Sequence, residues 1–264
     1  MSRDRIILVT GSTDGLGRRV AEKLAAPGVH ILVHGRDAAR GKAVVVTVVQ
    51  AGGSARFFAA DLGALREVRR LAEAIQAEHA QLDVLINNAG IAKPGAQRRA
   101  SADGFELHFA VNYLAPFLLT QLLRPLLGGA TPARIVNIAS AGQTGIDFGD
   151  VMLERGYDGM RAYCQSKLAQ VMNTFDLAEE FEAADVTANC LHPATYMDTA
   201  MVRDSGAKPL NSVETGADAV IALVTAEGLT GRYFDVRREA QAYAQAYDGA
   251  ARRKLRQLSL ELVA

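Results

Sequence analysis

Cysteine is scarce in this chain, with Cys164 and Cys190 the only two. Two thiols cannot build a disulfide framework or, alone, a metal site, so a reducing, cytoplasmic compartment is expected. His30, His34, His79 and His108 stand at no metal-ligand spacing, and no metal is expected. Excess charge of either sign is also missing: Lys and Arg total 29, as do Asp and Glu. That balance leaves no field to hold a polyanion, which argues against a nucleic-acid partner. No apolar run approaches the roughly 18 residues that span a bilayer. The lead Met1-Ser2-Arg3-Asp4-Arg5 runs straight into Ile6-Ile7-Leu8-Val9. This run is too short for the apolar region of a secretion signal, and no membrane anchor is expected. Internal repeats and low-complexity linkers are missing too. Gly128-Gly129 and Pro132 fall between elements, so residues 1–264 are expected to form a single domain.

What is present is the composition of a folded globular protein. Hydrophobic residues make up 49% and charged residues 22% of 264, enough for a sizeable core and against global disorder. Short apolar runs alternate with longer amphipathic stretches. Ile6 to Val9, Val29 to Val33, Arg56 to Ala59, Val84 to Ile86, Arg134 to Ile138 and Val186 to Leu191 are predicted buried strands. Gly17 to Ala26 and Leu65 to His79 carry helical period. Strands alternating with helices imply βαβ units, with right-handed crossovers and helices on both faces of a parallel sheet. The expectation is a three-layer α/β/α, Rossmann-like doubly wound parallel sheet of about seven strands. The Ala-, Arg- and Leu-rich tail from Arg237 to Ala264 is expected to be helical and to pack on the sheet or a neighbouring subunit.

Thr10-Gly11-Ser12-Thr13-Asp14-Gly15-Leu16-Gly17 joins the first strand to the first helix. Glycines there permit a tight turn and let a pyrophosphate reach backbone N–H groups at the positive end of a helix. Gly17 lets helix and strand pack closely. Gly11 to Gly17 is therefore the candidate dinucleotide loop. The second strand runs on into His34-Gly35-Arg36-Asp37. A free ribose 2′-hydroxyl is usually met by a carboxylate at this point, whereas a 2′-phosphate suits an arginine fork. Arg36 favours NADP(H) over NAD(H). Asp37 reads as a ribose ligand or as the N-cap of the next helix, and the charge of Asp14 is unhelpful beside a phosphate.

Tyr163 and Lys167 are four residues apart and share a helix face. A free phenol titrates near ~10, and an adjacent ammonium is expected to bring Tyr163 towards the working range. Ser140 ends a strand at the carboxyl edge, where parallel sheets hold ligands, and its hydroxyl can hydrogen-bond a substrate carbonyl. Asn112 is polar in an apolar helical stretch and is placed to hold a water linking Lys167 to solvent. Blander roles suit the rest: Cys164 as a small packed side chain, and His192 as a structural residue or a neighbour of the cofactor. Met197, Met201 and Val202 form either a mobile lid or an ordinary packed helix. The segment from Gln143 to Met160, with Asp147, Asp150, Glu154 and Asp158, reads as a solvated loop or as an acidic rim for a substrate with amino groups.

Taken in order, these pieces resemble the short-chain dehydrogenase/reductase family along nearly the whole chain. The matching stretches are Thr10 to Gly17, Asp61-Leu62, Asn87-Asn88-Ala89-Gly90, Asn112, Ser140, Tyr163 with Lys167, and His192-Pro193-Ala194 through Thr199. The resemblance implies that Asp61 and Leu62 face adenine, that Asn87 and Ala89 lie along the cofactor's ribose and the edge of the central strand, and that Asn88, Ala89 and Gly90 bind the cofactor. It implies Tyr163 as proton donor, Lys167 on the nicotinamide ribose, Ser140 orienting the carbonyl and Asn112 completing a relay. Pro193, Thr195 and Thr199 would meet the nicotinamide amide and diphosphate.

Within the family the likeness is to retinol-dehydrogenase-like members, which carry a long serine-to-tyrosine segment and then Ala-Tyr-Cys-x-Ser-Lys-Leu-Ala. Here Ala162 to Ala169 match that run. Many such members have a membrane anchor, and none is expected here. Ala139 stands where a second serine is usual and Ala194 where glycine is usual. The implied activity is NADP(H)-dependent reduction of a ketone or aldehyde to an alcohol, or the reverse, as a carbonyl reductase, with secondary metabolism as one setting. An NAD(H)-dependent alcohol dehydrogenase and a non-catalytic NADPH-binding sensor are the alternatives. A small-molecule carbonyl or alcohol substrate is implied, as is a homodimer or homotetramer through the helices around Asn112 and Tyr163.

Overall fold

The structure, a computed structural model, describes residues 4–130 and 132–264; Met1 to Arg3 of the lead lie outside them. The apolar runs form parallel strands because each is covered on both faces. In β1 (Arg5–Val9), β2 (Val29–Gly35) and β4 (Val84–Asn87), Leu8, Leu32 and Leu85 point to one side. Ile7, Val9, Ile31, Val33, Val84 and Ile86 point to the other. Helices α1 (Gly15–Leu24), α2 (Ala38–Gln50) and α8 (Val213–Thr225) cover the second side. Helices α3 (Leu65–Glu78), α5 (Ala115–Gly128) and α6 (Gly159–Glu180) cover the first. On that side Phe109, Tyr113 and Phe117 stack in sequence and are almost wholly buried, each adding about 1.5–3 kcal/mol by burial.

The remaining strands are β3 (Ser54–Ala59), β5 (Ala133–Ile138), β6 (Val186–His192), β7 (Arg232–Asp235) and β8 (Arg238–Glu239). The order across the sheet is β3-β2-β1-β4-β5-β6-β7-β8, with all pairings parallel except β7 with β8. The expected Rossmann-like doubly wound sheet of about seven parallel strands is therefore present, with an eighth, antiparallel strand on its edge. The order reverses between β1 and β4, which is where such sheets open a ligand crevice. The loops after β1, β4, β5 and β6 all leave the carboxyl edge.

Two segments depart from expectation. Asn112 lies in a π-helical turn, Ala110–Leu114, between the single turn α4 (Leu107–Phe109) and α5; such wide turns concentrate at functional sites. The tail is not helical from Arg237. Val236 takes a left-handed φ of 55° and folds Arg238 and Glu239 back onto Asp235 and Phe234. This pairing caps the open edge of the sheet and outweighs local helix propensity. A 3-10 turn, Ala244–Tyr247, follows, and α9 (Gly249–Leu262) starts only where Asp248 accepts from Ala250 N and Ala251 N. Helix α9 then packs against α6 and the π-helical turn. Tyr113 and Ser259 share a buried hydrogen bond of 2.7 Å, and Arg252 pairs with Asp176. Among the described residues no helix is long and apolar enough to cross a membrane.

Candidate functional site

The glycine turn is built by cross-links between β1 and β4. Thr10 Oγ1 accepts from Asn88 N and Ala89 N, both at 3.0 Å, and Asn88 Nδ2 donates to Thr10 O and Gly11 O. Gly11 takes a φ of 64°, and a Cβ there would sit 2.9 Å from Ala89 Cα. A Cβ on Gly17 would overlap both Gly11 O and Asn88 Nδ2. The turn is thus a cradle with no room for side chains, open at the start of α1, as a pyrophosphate requires. Asn87 points elsewhere. It is buried, and its Nδ2 donates to Asn137 Oδ1 and Thr120 Oγ1 inside the core, so its side chain does not follow a ribose.

His34, considered in the sequence only as a metal ligand, holds the glycine turn. Its Nδ1 accepts from Gly11 N at 3.1 Å, while Ser12 N donates to His34 O and His34 N to Ser12 Oγ. Burial lowers its pKa to about 4, which keeps the ring neutral and Nδ1 free to accept. The one available signal was its place at the end of the second strand, beside the turn.

On the adenosine side Arg36 is exposed and makes no ion pair among the described residues. Asp37 resolves as a helix N-cap, accepting from Ala39 N and Arg40 N. Asp14 caps α1 through Gly15 N and also accepts from Arg40 at 3.0 Å. Arg40, unremarked in the sequence, therefore stands one helical turn beyond Arg36 with its charge held towards the loop. Thr13 packs against Gly35, where a Cβ would meet Thr13 Oγ1 at 2.6 Å. Asp61 is exposed and accepts from Gly63 N, and Leu62 is buried beside it.

Ser140, Tyr163, Lys167 and Asn112 converge at the carboxyl edge of β5. The Ser140 hydroxyl accepts from Gly142 N at 3.0 Å. Burial raises the Tyr163 phenol above its ordinary value, and a hydrogen bond with Ser140 pulls it down. Lys167 is almost fully buried, and burial lowers its ammonium to about 8. Its Nζ donates to Ile138 O at 2.6 Å and to Gln170 Oε1 at 3.2 Å. This corrects the expectation that the ammonium lowers the phenol. The β5 carbonyl and Gln170 hold the ammonium, and Ser140 is the group that lowers Tyr163.

Asn112 ties two elements together. Its Oδ1 accepts from Ile91 N at 2.8 Å, and its Nδ2 donates to Ile91 O and Ser166 Oγ, both at 3.0 Å. The amide is engaged on the exit of β4 and fixes that segment. Gly90 closes the group: a Cβ there would be 3.2 Å from Asn112 Oδ1 and 3.6 Å from Lys167 Nζ.

The segment after β6 reaches back over the glycine turn. Thr199 lies 3.3 Å from the Cβ position of Gly15 and caps the short α7 (Ala200–Asp204). Thr195 Oγ1 bonds His192 Nε2 at 2.9 Å, and burial lowers His192. Pro193 and Met197 pack at Gly216 of α8, Met201 is exposed, and Val202 is half-buried. Burial raises the half-buried Cys164 thiol, which suits packing and not a reactive thiolate. The acidic segment is consumed by local caps. Asp147 accepts from Gly149 N, Asp150 from Glu154 N and Arg155 N, and Asp158 from Arg161 N.

Another buried histidine borders Tyr163. His108 bonds Glu106 Oε1 through Nδ1 and accepts from Lys93 N through Nε2. Its ring stands edge-on to Tyr163 at 6.5 Å. Burial favours a protonated Glu106, but hydrogen bonds from His108 and Phe109 N outweigh it and hold the carboxyl below its usual range.

The short chain dehydrogenase family model matches residues 5–210. Mouse retinol dehydrogenase 14 is 34% identical over 290 residues, covering 98% of this chain and 86% of that protein. Among solved structures, an uncharacterized protein of Mycobacterium paratuberculosis superposes with a TM-score of 0.82 at 27% identity, over 99% of this chain and 94% of the other. Pseudomonas aeruginosa RhlG, solved as an active-site complex with NADP, superposes with a TM-score of 0.72 at 28% identity, over 88% and 94%. With the family model matched over residues 5–210 and a relative 34% identical over 98% of the chain, the chain belongs to the short chain dehydrogenase family, close to its retinol-dehydrogenase-like members, and is an oxidoreductase of alcohols and carbonyl compounds that uses a nicotinamide cofactor.

Proposed function

We propose that the chain is a single-domain, NADP(H)-dependent reductase of ketones or aldehydes, working in reverse as an alcohol dehydrogenase, with Asn112, Ser140, Tyr163 and Lys167 as its catalytic set. The observation that carries this reading is the convergence of Ser140 Oγ and the Tyr163 ring at the carboxyl edge of β5, 3.5 and 3.7 Å from the Cβ position of Gly142, with the Lys167 ammonium on the carbonyl of Ile138 and near Gly90. When bound, the reduced nicotinamide supplies the hydride. Tyr163 gives its proton to the carbonyl oxygen, and Ser140 orients that oxygen by a hydrogen bond. Lys167 holds positive charge next to the site and is the group for the nicotinamide ribose. Asn112 fixes the exit of β4 through Ile91. Gly11 to Gly17, with Asn88, Ala89 and Gly90, hold the pyrophosphate and ribose; Asp61 and Leu62 flank the adenine. Pro193, Thr195 and Thr199 close over the nicotinamide end.

The preference for NADP(H) rests on Arg36, with Arg40 as a second cation, and is supported by NADP in the RhlG complex. A 2′-phosphate would compete with Asp14 for Arg40. Arg36→Asp should raise the KM for NADPH by about 10- to 100-fold, from a charge-assisted bond worth about 1.5–3 kcal/mol, and leave NADH turnover unchanged or better. Paired Michaelis curves check this, and an unchanged preference would move the phosphate site elsewhere. Exposed apolar side chains at Tyr196, Met201 and Leu210 on the segment after β6 favour an apolar substrate. A panel of retinal, steroid, polyketide and amino-sugar ketones or aldehydes, followed by loss of NADPH absorbance, tests the function itself; no turnover across it would sink the reading. A homodimer or homotetramer through the helices around Asn112 and Tyr163 would have to accommodate α9, which packs on α6 and the turn holding Asn112.

The pH dependence has a definite sign. Alcohol oxidation needs the Tyr163 phenolate and therefore rises with pH through the phenol's value. Ser140 lowers that value, so Ser140→Ala should shift the rising limb to higher pH and reduce kcat by about 10- to 1,000-fold, the range seen for loss of one such donor. A limb that stays in place, read from kcat against pH, would show that Ser140 does not touch the phenol.

A further inference from the structure

Ser140 is held from behind by residues far along the chain. Its backbone carbonyl accepts two hydrogen bonds, from Tyr233 Oη on β7 at 3.1 Å and from Gln143 Nε2 at 2.8 Å. Gln143 Oε1 in turn accepts from Tyr243 N at 2.9 Å. Two residues on, Gln245 pairs with the loop backbone. Its Oε1 accepts from Ile146 N at 2.6 Å and its Nε2 donates to Ile146 O at 3.2 Å. The loop lies close against this segment, since a Cβ on Gly145 would be 3.4 Å from the Tyr243 ring. On its inner side the loop touches the chemistry: a Cβ on Gly142 would be 3.5 Å from Ser140 Oγ and 3.7 Å from the Tyr163 ring.

A loop without regular structure must find partners for its N–H and C=O groups. A glutamine amide offers one acceptor and two donors, so a single side chain can serve both groups of Ile146 as a neighbouring strand would. Gln143 uses the same capacity to bridge Ser140 O to Tyr243 N. Both anchors lie beyond residue 210, where the family match ends.

We propose that the segment from Tyr233 to Gln245 is a strap that sets the position of Ser140, with Gln143, Tyr233 and Gln245 as positioning residues for the reaction. This rests on the role given to Ser140 above. None of the three touches the glycine turn. Their effect passes through the Ser140–Tyr163 contact, where misplacement by an ångström can cost about 100-fold in rate.

The test is a cycle of Ser140→Ala, Gln143→Met and the double variant, assayed with NADPH and retinal or the panel carbonyl turned over fastest, and in reverse with its alcohol. Gln143→Met should lower kcat about 10- to 100-fold, leave NADPH affinity within about two-fold, and move the oxidation limb to higher pH, as Ser140→Ala does. The double variant should lose little more than Ser140→Ala alone, because the strap has nothing left to position. Independent, multiplying losses, or a limb that stays in place, would overturn the strap. Tyr233→Phe keeps the packing and loses only the hydroxyl, so it carries the same test if Gln143→Met folds poorly. Hydrogen exchange adds a readout free of turnover: Gln245→Met should speed exchange at Ile146 N and leave Gly11 N unchanged, and unaltered protection at Ile146 would refute the clamp. If Ser140→Ala leaves turnover and its limb untouched, or the wild-type chain reduces no carbonyl, the catalytic assignment fails. If Ser140→Ala acts and Gln143→Met does not, only the strap fails.

Discussion

Replacing Tyr163 with phenylalanine should reduce turnover by about 1,000-fold or more while NADPH binds within a few-fold of the wild-type chain. In the proposed reaction the phenol delivers a proton to the carbonyl oxygen and recovers it. Loss of a positioned general acid commonly costs about 100- to 10,000-fold. Phenylalanine keeps the ring and its edge-on contact with His108, so the fold has little reason to change. The dinucleotide cradle is fixed by separate groups, Thr10, Asn88 and His34, none of which contacts the phenol. Single-turnover absorbance at saturating NADPH checks the rate, and a fluorescence titration checks the affinity. Normal turnover would remove Tyr163 as the acid, whatever else the site contains.

The sequence showed the spacing of this site better than its wiring. Buried parallel strands are apolar on both faces, so β1, β2, β4, β5 and β6 announce themselves as short hydrophobic runs. β7 is four residues with a charged residue at each end, and β8 exists only because it pairs with the edge of β7. Local composition could not distinguish that tail from a helix. Gly11 to Gly17, Ser140, Tyr163 and Lys167 were legible because a turn, a strand end and an i,i+4 pair each leave a local pattern. The direction of Lys167 Nζ was not, since it depends on the Ile138 carbonyl and on burial. His34, Gln143, Tyr233 and Gln245 share a different obstacle. Each has a partner between 23 and 100 positions away, and a side chain whose role is to hold distant backbone leaves no periodicity to read.

Glycine 17 offers the other large effect, because there space alone decides. Gly17→Val should weaken NADPH binding by about 100-fold or more and destabilise the fold by about 1–3 kcal/mol, the usual cost of overpacking. Gly17 has no left-handed φ, so valine meets no backbone penalty of that kind; it meets atoms. Its Cβ would overlap Gly11 O and Asn88 Nδ2. Neither can retreat, because Asn88 Nδ2 is bonded to both Thr10 O and Gly11 O, and Asn88 N to Thr10 Oγ1. Relief requires α1 to move off the sheet, which opens the packing of Leu16 and Val20 and swings the N–H groups at the start of α1 away from the pyrophosphate. Gly28→Ala is the matched control. Gly28 has a φ of 78° and nothing within 4 Å of its Cβ position, so alanine there should cost about 1 kcal/mol of stability by strain alone and leave NADPH affinity unchanged. Thermal melts and fluorescence titrations on both variants separate the two causes. Wild-type affinity in Gly17→Val would mean that the turn after β1 is not where the pyrophosphate sits.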